Sequence, residues 1–238
     1  MPQQPPFRRR CASTRPGTGL YAITDGPRED LCAVVRAALE GGATMLQYRD
    51  KTRDADRRLR EARALAALCT EFRAPLIVND DIELARASGA AGVHLGESDE
   101  AISVARAALG ANAIIGVSCH DSLERARDAA AEGADYLAFG AFFPSTTKPG
   151  ARHATPDLLR KARGLDRPLV AIGGITAENG GSLIAAGADF LAVISALFRT
   201  RDVRAQARRF AKLFDADRRV QPGSGSLSSA PSSLREKP

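Results

Sequence analysis

The sequence has few cysteines and no long apolar run. No stretch approaches the roughly 18 apolar residues that a membrane-spanning helix needs, so we expect no membrane partner. The four cysteines, at positions 11, 32, 69 and 119, form no C-x-x-C pair and no dense framework. Reduced thiols and a cytoplasmic location are therefore the expectation. The segment Arg8–Arg10 is not followed by the apolar stretch of a secretory signal.

The sequence also lacks a broad basic surface, although its formal net charge is +6. Residues 1–18 carry four arginines and no acid, and residues 215–238 carry four bases against three acids. The first stretch therefore has a net charge of +4 and the last a net charge of +1, which leaves +1 for the middle of the chain. This distribution argues against a nucleic-acid partner. DNA binding through the Arg-rich start is an alternative that the sequence supports least.

One unit of strand, turn and Ala- and Arg-rich helix recurs eight times from position 20 onward. The predicted strands are Leu20–Thr24, Thr44–Arg49, Leu76–Asn79, Gly92–Leu95, Ile114–Ser118, Tyr136–Phe139, Leu169–Ile172 and Phe190–Ile194. The predicted helices are Glu29–Glu40, Ala55–Phe72, Ile82–Ser88, Glu100–Leu109, Leu123–Glu132, Pro156–Arg163, Ala177–Ala186 and Val203–Phe214. Gly-Ala sequences close several of these helices, as helix C-caps do.

Eight alternating units predict parallel strands that close into a (β/α)₈ TIM barrel of the α/β class. An open doubly wound sheet is the competing architecture, but no G-x-G-x-x-G follows the first strand. We expect one barrel domain over residues 19–215, which is long enough for a sizeable core. Residues 1–18 read as a disordered Arg- and Pro-rich extension, and residues 216–238 as a disordered Ser-, Gly- and Pro-rich tail.

Chemistry in this architecture lies at the C-terminal ends of the strands. Gln47, Arg49 and Lys51 alternate at the end of the second strand, so they should face one side and suit an anion. A solvated strand end is the alternative explanation. Asp80 and Asp99 follow neighbouring strands about 4.8 Å apart and could share Mg²⁺. Helix N-capping is the alternative for both, and it is the expected role of the neighbouring Asp81.

Two further loops have the composition of anion sites. The segment FGAFFPSTTKPG presents Ser145, Thr147 and Lys148 between prolines, although an ordinary polar loop has a similar composition. Gly173-Gly174 after the seventh strand and Ile194-Ser195 after the eighth fall where barrels bind phosphate through backbone N–H groups. His94 is expected to be a hydrogen-bonded interior histidine. Cys119 is expected to be a small buried apolar residue.

The predicted strands contain no lysine that could form a Schiff base, and no desolvated carboxylate is placed to abstract a proton. Cations and Mg²⁺ around an anion instead favour stabilisation of a departing pyrophosphate.

A series of motifs, in this order, resembles the thiamine phosphate synthase family from position 20 to position 214. They are LYAITD (20–25), LQYRDK (46–51), LIVNDD (76–81), GVHLGESD (92–99), GVSCHD (116–121), FGAFFPSTTK (139–148), AIGGIT (171–176) and AVISALF (192–198). Together they are highly specific, although no single motif would be.

The resemblance implies condensation of hydroxymethylpyrimidine diphosphate with thiazole phosphate, with Mg²⁺ as cofactor. It assigns the pyrophosphate to Gln47, Arg49, Lys51, Asn79 and Lys148, Mg²⁺ to Asp80 and Asp99, and the pyrimidine to Ser118. It assigns the thiazole phosphate to Ser145, Thr147, Gly174, Ile194 and Ser195. The expected catalytic residues are Arg49, Lys51, Ser118 and Lys148. The implied reaction is dissociative, through a pyrimidine carbocation, which agrees with the missing base.

The chain departs from the family's pattern at Glu97, where glutamine is more usual. A thiazole tautomerase-like enzyme and a non-catalytic barrel that binds thiamine phosphate are the alternative functions. A tautomerase should not need the full set of cations and aspartates, and turnover of two substrates would exclude a binding protein. A homodimer is an expected assembly, although the sequence does not indicate the oligomeric state.

Overall fold

The computed structural model describes residues 17–97, 101–144 and 153–220, except for the side chains of residues 216–220. Within this part, eight parallel strands form a closed barrel in chain order, as predicted. The strands are β1 (Gly19–Ile23), β2 (Ala43–Tyr48), β3 (Leu76–Asn79), β4 (Gly92–Leu95), β5 (Ile114–His120), β6 (Tyr136–Phe139), β7 (Leu169–Ile172) and β8 (Phe190–Val193). The predicted TIM barrel is therefore confirmed.

Helices connect successive strands and surround the barrel. They are α1 (Leu31–Glu40), α2 (Ala55–Glu71), α3 (Ile82–Ser88), α4 (Ile102–Leu109), α5 (Leu123–Glu132), α6 (Pro156–Ala162), α7 (Gly180–Ala186), α8 (Ser195–Phe198) and α9 (Val203–Val220). A 3₁₀ turn, Arg163–Leu165, follows α6. In the described part of the chain, no helix is both long enough and apolar enough to span a membrane.

Several element ends differ from the predicted ones by one to six residues, and three of these differences have a clear local reason. Strand β5 continues to His120 because the pairing register with β6 shifts between Ser118 and His120. Helix α7 begins only at Gly180, since Asn179 Oδ1 accepts the Thr176 N–H at 2.8 Å and forms a turn first. Residues 216–220, which were predicted to be tail, continue α9, because neither glycine nor proline interrupts the sequence there.

Local capping fixes where several helices start and stop. The side chain of Asp81 accepts the Leu84 N–H at the start of α3, which confirms the predicted N-cap. Helices α3, α5 and α7 end at glycines with left-handed backbone, in agreement with the Gly-Ala pattern. Helix α1 ends differently, because Gly41 keeps a right-handed helical backbone.

Two apolar cores follow from the alternation of side chains along the strands. Leu20 and Ala22 of β1 face outward and pack with the helices, whereas Tyr21 and Ile23 face the barrel interior. The interior cluster also contains Met45, Ile77, Ile114, Tyr136, Ala138, Val170, Phe190 and Ala192. A packed interior of this kind leaves the strand ends as the place for a site.

Candidate active site

The backbone at the end of β2 is fixed by a threonine from β1. The buried Thr24 accepts the Arg49 N–H at 2.8 Å and donates its hydroxyl to the Arg49 carbonyl at 3.1 Å. Arg49 itself is half-buried, and its guanidinium makes no hydrogen bond to any residue that the structure describes. The paired backbone groups therefore hold a cationic side chain at the barrel rim.

Asp50 lies on the opposite side of the same segment, and sequence reasoning missed it. Its side chain is 1% exposed, forms an ion pair with Arg57 Nη1 at 2.7 Å, and accepts the Thr52 N–H at 2.7 Å. Arg57 also contacts Glu61 at 3.0 Å, and Glu61 accepts the Tyr48 hydroxyl at 2.6 Å. This network ties the segment that carries the two rim cations to helix α2.

The pKa of Asp50 reflects that network. Burial alone raises the pKa of this carboxyl group, but hydrogen bonds from the Thr52 backbone and from Arg57 outweigh the effect and hold it below its usual value. A signal was present in the sequence, since Arg57 and Glu61 have the i,i+4 spacing of an ion pair on α2.

Lys51 and Asp80, which follow the neighbouring strands β2 and β3, meet at the rim. Lys51 Nζ contacts Asp80 Oδ2 directly. Asp80 has a left-handed backbone, with φ of 63°, and its N–H donates to the His94 carbonyl at 2.8 Å. Asn79 lies opposite His94 in the pairing of β3 with β4. A cation from β2, a carboxylate from β3 and the end of β4 are thus brought together.

One residue of the predicted magnesium pair, Asp80, lies in the part of the chain that the structure describes. Asp80 offers hard oxygen ligands, is 28% exposed and already attracts a cationic group, so its chemistry fits a divalent ion. Across residues 17–97, 101–144 and 153–220, no three His, Cys, Asp or Glu side chains group closely enough to hold a metal ion. Asp99, the predicted partner, lies outside those residues.

Five side chains from five strands form a continuous hydrogen-bonded chain through the barrel interior. Gln47 Nε2 donates to the Tyr21 hydroxyl at 2.9 Å, and that hydroxyl lies 2.8 Å from the Tyr136 hydroxyl. The Tyr136 hydroxyl is 2.9 Å from His94 Nδ1, and His94 Nε2 is 2.9 Å from Ser118 Oγ. We call these five residues the interior chain. It leads from the second strand across to the residue predicted to meet the pyrimidine.

Burial shapes the chemistry of the interior chain. The pKa values of Tyr21 and Tyr136 are raised, mainly because burial disfavours their charged forms. The Tyr21 and Tyr136 rings meet edge to face with centroids 5.9 Å apart, and the His94 ring stacks on Tyr136 at 5.6 Å. The prediction of a hydrogen-bonded interior histidine is confirmed. Gln47 faces this interior, and its role at a pyrophosphate stays a prediction.

Arg125 joins the ends of β4 and β5 and was also missed by sequence reasoning. Its Nε donates to the Ser118 carbonyl at 2.7 Å, and its Nη2 donates to the Gly96 carbonyl at 3.0 Å. The guanidinium thereby holds the backbone of Ser118 beside the loop after β4. Nothing in the local sequence distinguishes this arginine from its helical neighbours.

The residues predicted to form a phosphate cradle follow β7 and β8, which pair with each other in the barrel. Gly173 and Gly174 have φ values of 102° and 64°, and an added Cβ on Gly174 would lie 2.5 Å from the Pro144 carbonyl oxygen. These positions therefore require glycine. Ile194 directly precedes α8, and Ser195 is its first residue. Ser145, Thr147 and Lys148, from the loop after β6, lie outside the described residues.

Comparisons with known proteins show which family the chain resembles. Residues 20–197 match the family model for thiamine monophosphate synthase. The chain is 52% identical over 200 residues to the thiamine-phosphate synthase of Nitrosococcus oceani, covering 82% of this chain and 92% of that protein. It is 55% identical over 192 residues to that of Halorhodospira halophila, covering 80% and 91%.

A solved structure is similar over nearly the same length. The thiamine phosphate pyrophosphorylase from Pyrococcus furiosus superimposes with a TM-score of 0.76 at 38% identity, covering 84% of this chain and 96% of that one. With a family model matching most of the barrel and relatives above half identity, the chain belongs to the thiamine monophosphate synthase family.

Proposed function

We propose that this chain joins 4-amino-2-methyl-5-hydroxymethylpyrimidine diphosphate to thiazole phosphate, giving thiamine phosphate and pyrophosphate. The observation that carries the proposal is the contact between Lys51 and Asp80 at the barrel rim, next to the backbone-fixed Arg49. Positive groups and a carboxylate at one rim suit a diphosphate and its divalent ion. Membership of the family supports the same reaction.

The leaving diphosphate is held by cations and amides that follow the strands. In this proposal Arg49, Lys51 and Lys148 neutralise its charge, and Asn79 and Gln47 contribute amide groups. Asp80 and Asp99 would hold Mg²⁺, which would supply further charge neutralisation on the diphosphate oxygens. Lys51 then exchanges its carboxylate partner for a phosphate oxygen when substrate enters.

The two heterocycles occupy the remaining parts of the rim. Ser118, at the end of the interior chain, contacts the pyrimidine. The thiazole phosphate is held by Ser145 and Thr147 and by the backbone N–H groups of Gly174, Ile194 and Ser195. Backbone donors suit this task because glycine lets an anion approach the main chain closely.

The resemblance to the family implies a dissociative substitution, and the composition of the strands agrees with it. In the part of the chain that the structure describes, none of the eight strands contains lysine, aspartate or glutamate. The C–O bond to the diphosphate breaks, the pyrimidine methylene becomes a carbocation, and the thiazole nitrogen supplies the electron pair of the new C–N bond. No protein base is needed for these steps, so the rim cations are the main catalytic groups. A cytoplasmic location, supported by the free cysteines at 32, 69 and 119, completes the proposal.

The proposal is tested by giving the purified chain both substrates and Mg²⁺ and measuring pyrophosphate and thiamine phosphate. Equal amounts of the two products are expected. Binding of thiamine phosphate without turnover would contradict the proposal and favour a binding barrel.

A matched pair of variants tests the metal site. Asp80→Asn removes a carboxylate at the rim and should shift half-maximal activation to higher Mg²⁺ concentration. Asp81→Asn makes the same change one residue away, where an asparagine still caps α3, and should leave the Mg²⁺ titration unchanged. Identical titrations for wild type and Asp80→Asn would refute the assignment of Asp80 to the metal.

A further inference from the structure

We propose that the interior chain has one fixed polarity, running from Gln47 to Ser118, and that it makes Ser118 a hydrogen-bond donor to the substrate. Tyr21, Tyr136 and His94 are then positioning residues that act through Ser118. The statement about the substrate rests on the function proposed above. The polarity of the interior chain does not rest on that function, because it follows from hydrogen bonds within the protein without substrate.

The first half of the argument counts protons on the two phenols. Gln47 Nε2 donates to the Tyr21 oxygen, so the single proton of that hydroxyl is available for its other neighbour, Tyr136. The Tyr136 oxygen accepts this hydrogen bond, so its own hydroxyl proton is directed toward His94 Nδ1. Both phenols keep their protons, because burial raises their pKa values.

The second half concerns the tautomer of the histidine. A neutral imidazole carries one proton, so an Nδ1 that accepts from Tyr136 leaves the proton on Nε2. His94 Nε2 then donates to Ser118 Oγ at 2.9 Å. Ser118 receives this hydrogen bond and keeps its own hydroxyl proton for a group outside the interior chain. An acceptor, such as a ring nitrogen or a diphosphate oxygen, suits that place.

The backbone around the interior chain keeps its five side chains in this arrangement. Gly116 lies between His94 and Tyr136 in the pairing of β4, β5 and β6. An added Cβ there would lie 1.9 Å from the Tyr136 ring, so the glycine makes room for that ring. Arg125 holds the Ser118 carbonyl at 2.7 Å. The two hydrogen-bond partners of His94, Tyr136 and Ser118, are therefore both held in place by the fold.

The polarity is tested by long-range ¹H–¹⁵N NMR of the ¹⁵N-labelled full chain without substrate. The sequence has three histidines, which single substitutions would assign. We expect His94 as a neutral ring protonated at Nε2, with the Nδ1 signal at the position of an unprotonated nitrogen. A ring protonated at Nδ1, alone or with Nε2, would overturn the proposal.

Two phenylalanine variants distinguish the loss of a hydroxyl within the interior chain from the loss of a buried hydroxyl elsewhere. Tyr136→Phe should abolish the single tautomer, because Nδ1 loses its donor. Tyr48→Phe removes a buried hydroxyl outside the barrel interior and should leave the His94 tautomer unchanged. If Tyr136→Phe does not fold, Tyr21→Phe is used instead. It removes the donor to Tyr136, so the Tyr136 hydroxyl is no longer directed toward Nδ1 and the single tautomer should again be lost. An unaltered Nε2–H tautomer in the folded variant would refute control by the chain.

Addition of the pyrimidine diphosphate alone then tests the donor role of Ser118. Retention of the Nε2–H tautomer in the complex is expected, since Ser118 must still accept from His94 while it donates to the ligand. A switch to the Nδ1–H tautomer would show that Ser118 accepts from the ligand, which overturns the inference. Complete absence of binding would refute the proposed function and the donor role, while the polarity of the free chain would stand on its own measurement.

Discussion

Replacing Asp50 by asparagine changes one atom of a buried carboxylate and tests whether the network behind β2 stabilises the barrel. The shape of the side chain is kept, so the Thr52 N–H can still find an acceptor. The ion pair with Arg57, at 2.7 Å and with the aspartate side chain 1% exposed, loses its charge. Arg57 keeps Glu61 at 3.0 Å, and therefore it is not left without a carboxylate.

The expected cost follows from this partial loss. A hydrogen bond to a charged group contributes about 1.5–3 kcal/mol, and removing a whole partner of a buried pair costs about 3–5 kcal/mol. Because Arg57 retains one carboxylate, we expect the lower range, about 2–3 kcal/mol of unfolding free energy. For a chain of this length that corresponds to a fall in Tm of roughly 4–12 °C.

The assay is denaturant and thermal unfolding beside a matched variant, Glu71→Gln. Glu71 pairs with Arg36 at 2.9 Å, but both side chains are about half exposed. Neutralising such a surface pair costs about 0–1 kcal/mol. Arg49 and Lys51 flank Asp50, so kcat/KM should also fall in Asp50→Asn, mainly through a higher KM for the diphosphate.

The pH dependence gives the sign of the effect. The folded-state pKa of Asp50 is lowered, so its stabilisation is present above the unfolded-state pKa of about 3.9 and is lost as pH falls through the folded value. The gap in stability between wild type and Asp50→Asn should therefore be constant near neutral pH and shrink below about pH 4. A gap no larger than that of Glu71→Gln at neutral pH would refute the reasoning.

Three further predictions concern catalysis, packing and thiol reactivity. Lys148→Ala should lower kcat/KM by roughly 10²–10³, about 3–4 kcal/mol, the scale of one transition-state charge, and near wild-type turnover would contradict it. Gly116→Ala should lower stability by about 1–3 kcal/mol in thermal melts, because its Cβ would meet the β6 tyrosine ring at 1.9 Å, whereas Gly181→Ala in α7 has open space and should not destabilise. Burial raises the pKa of the Cys119 thiol to about 12, so a thiol reagent near neutral pH should label the exposed Cys32 and spare Cys119, as peptide mass mapping would show.

The fold could be predicted because its signals are local and repeat. Each strand is a short apolar run, and each helix has apolar residues at helical spacing, so eight weak signals support one another. The element ends were less predictable, since the shift at β5 and the turn before α7 depend on single contacts. The continuation of α9 to Val220 shows the same limit, because a change in composition does not mark the last residue of a helix.

One contact of the candidate site can be explained from the strand order alone. Strand ends of a barrel meet at one rim, so the encounter of Lys51 with Asp80 needed only strand order and approximate boundaries. Alternation along β2 also continues past the strand, with Asp50 facing α2 and the cations on the other side. The residue of α2 that pairs with Asp50 is set by the rotation of that helix against the barrel. The spacing of apolar residues defines such a rotation only coarsely.

The interior chain required information of another kind. The two tyrosine hydroxyls that meet in it are separated by 115 positions in the sequence, and its five members come from five strands. Their contact depends on the closure of the barrel and on the pairing register of β4, β5 and β6, which places Gly116 between His94 and Tyr136. A shift of one residue in any of these strands would turn its member outward, because side chains alternate along a strand. The hydrogen bonds that set the tautomer of His94 are thus a property of the closed barrel, and no single motif contains them.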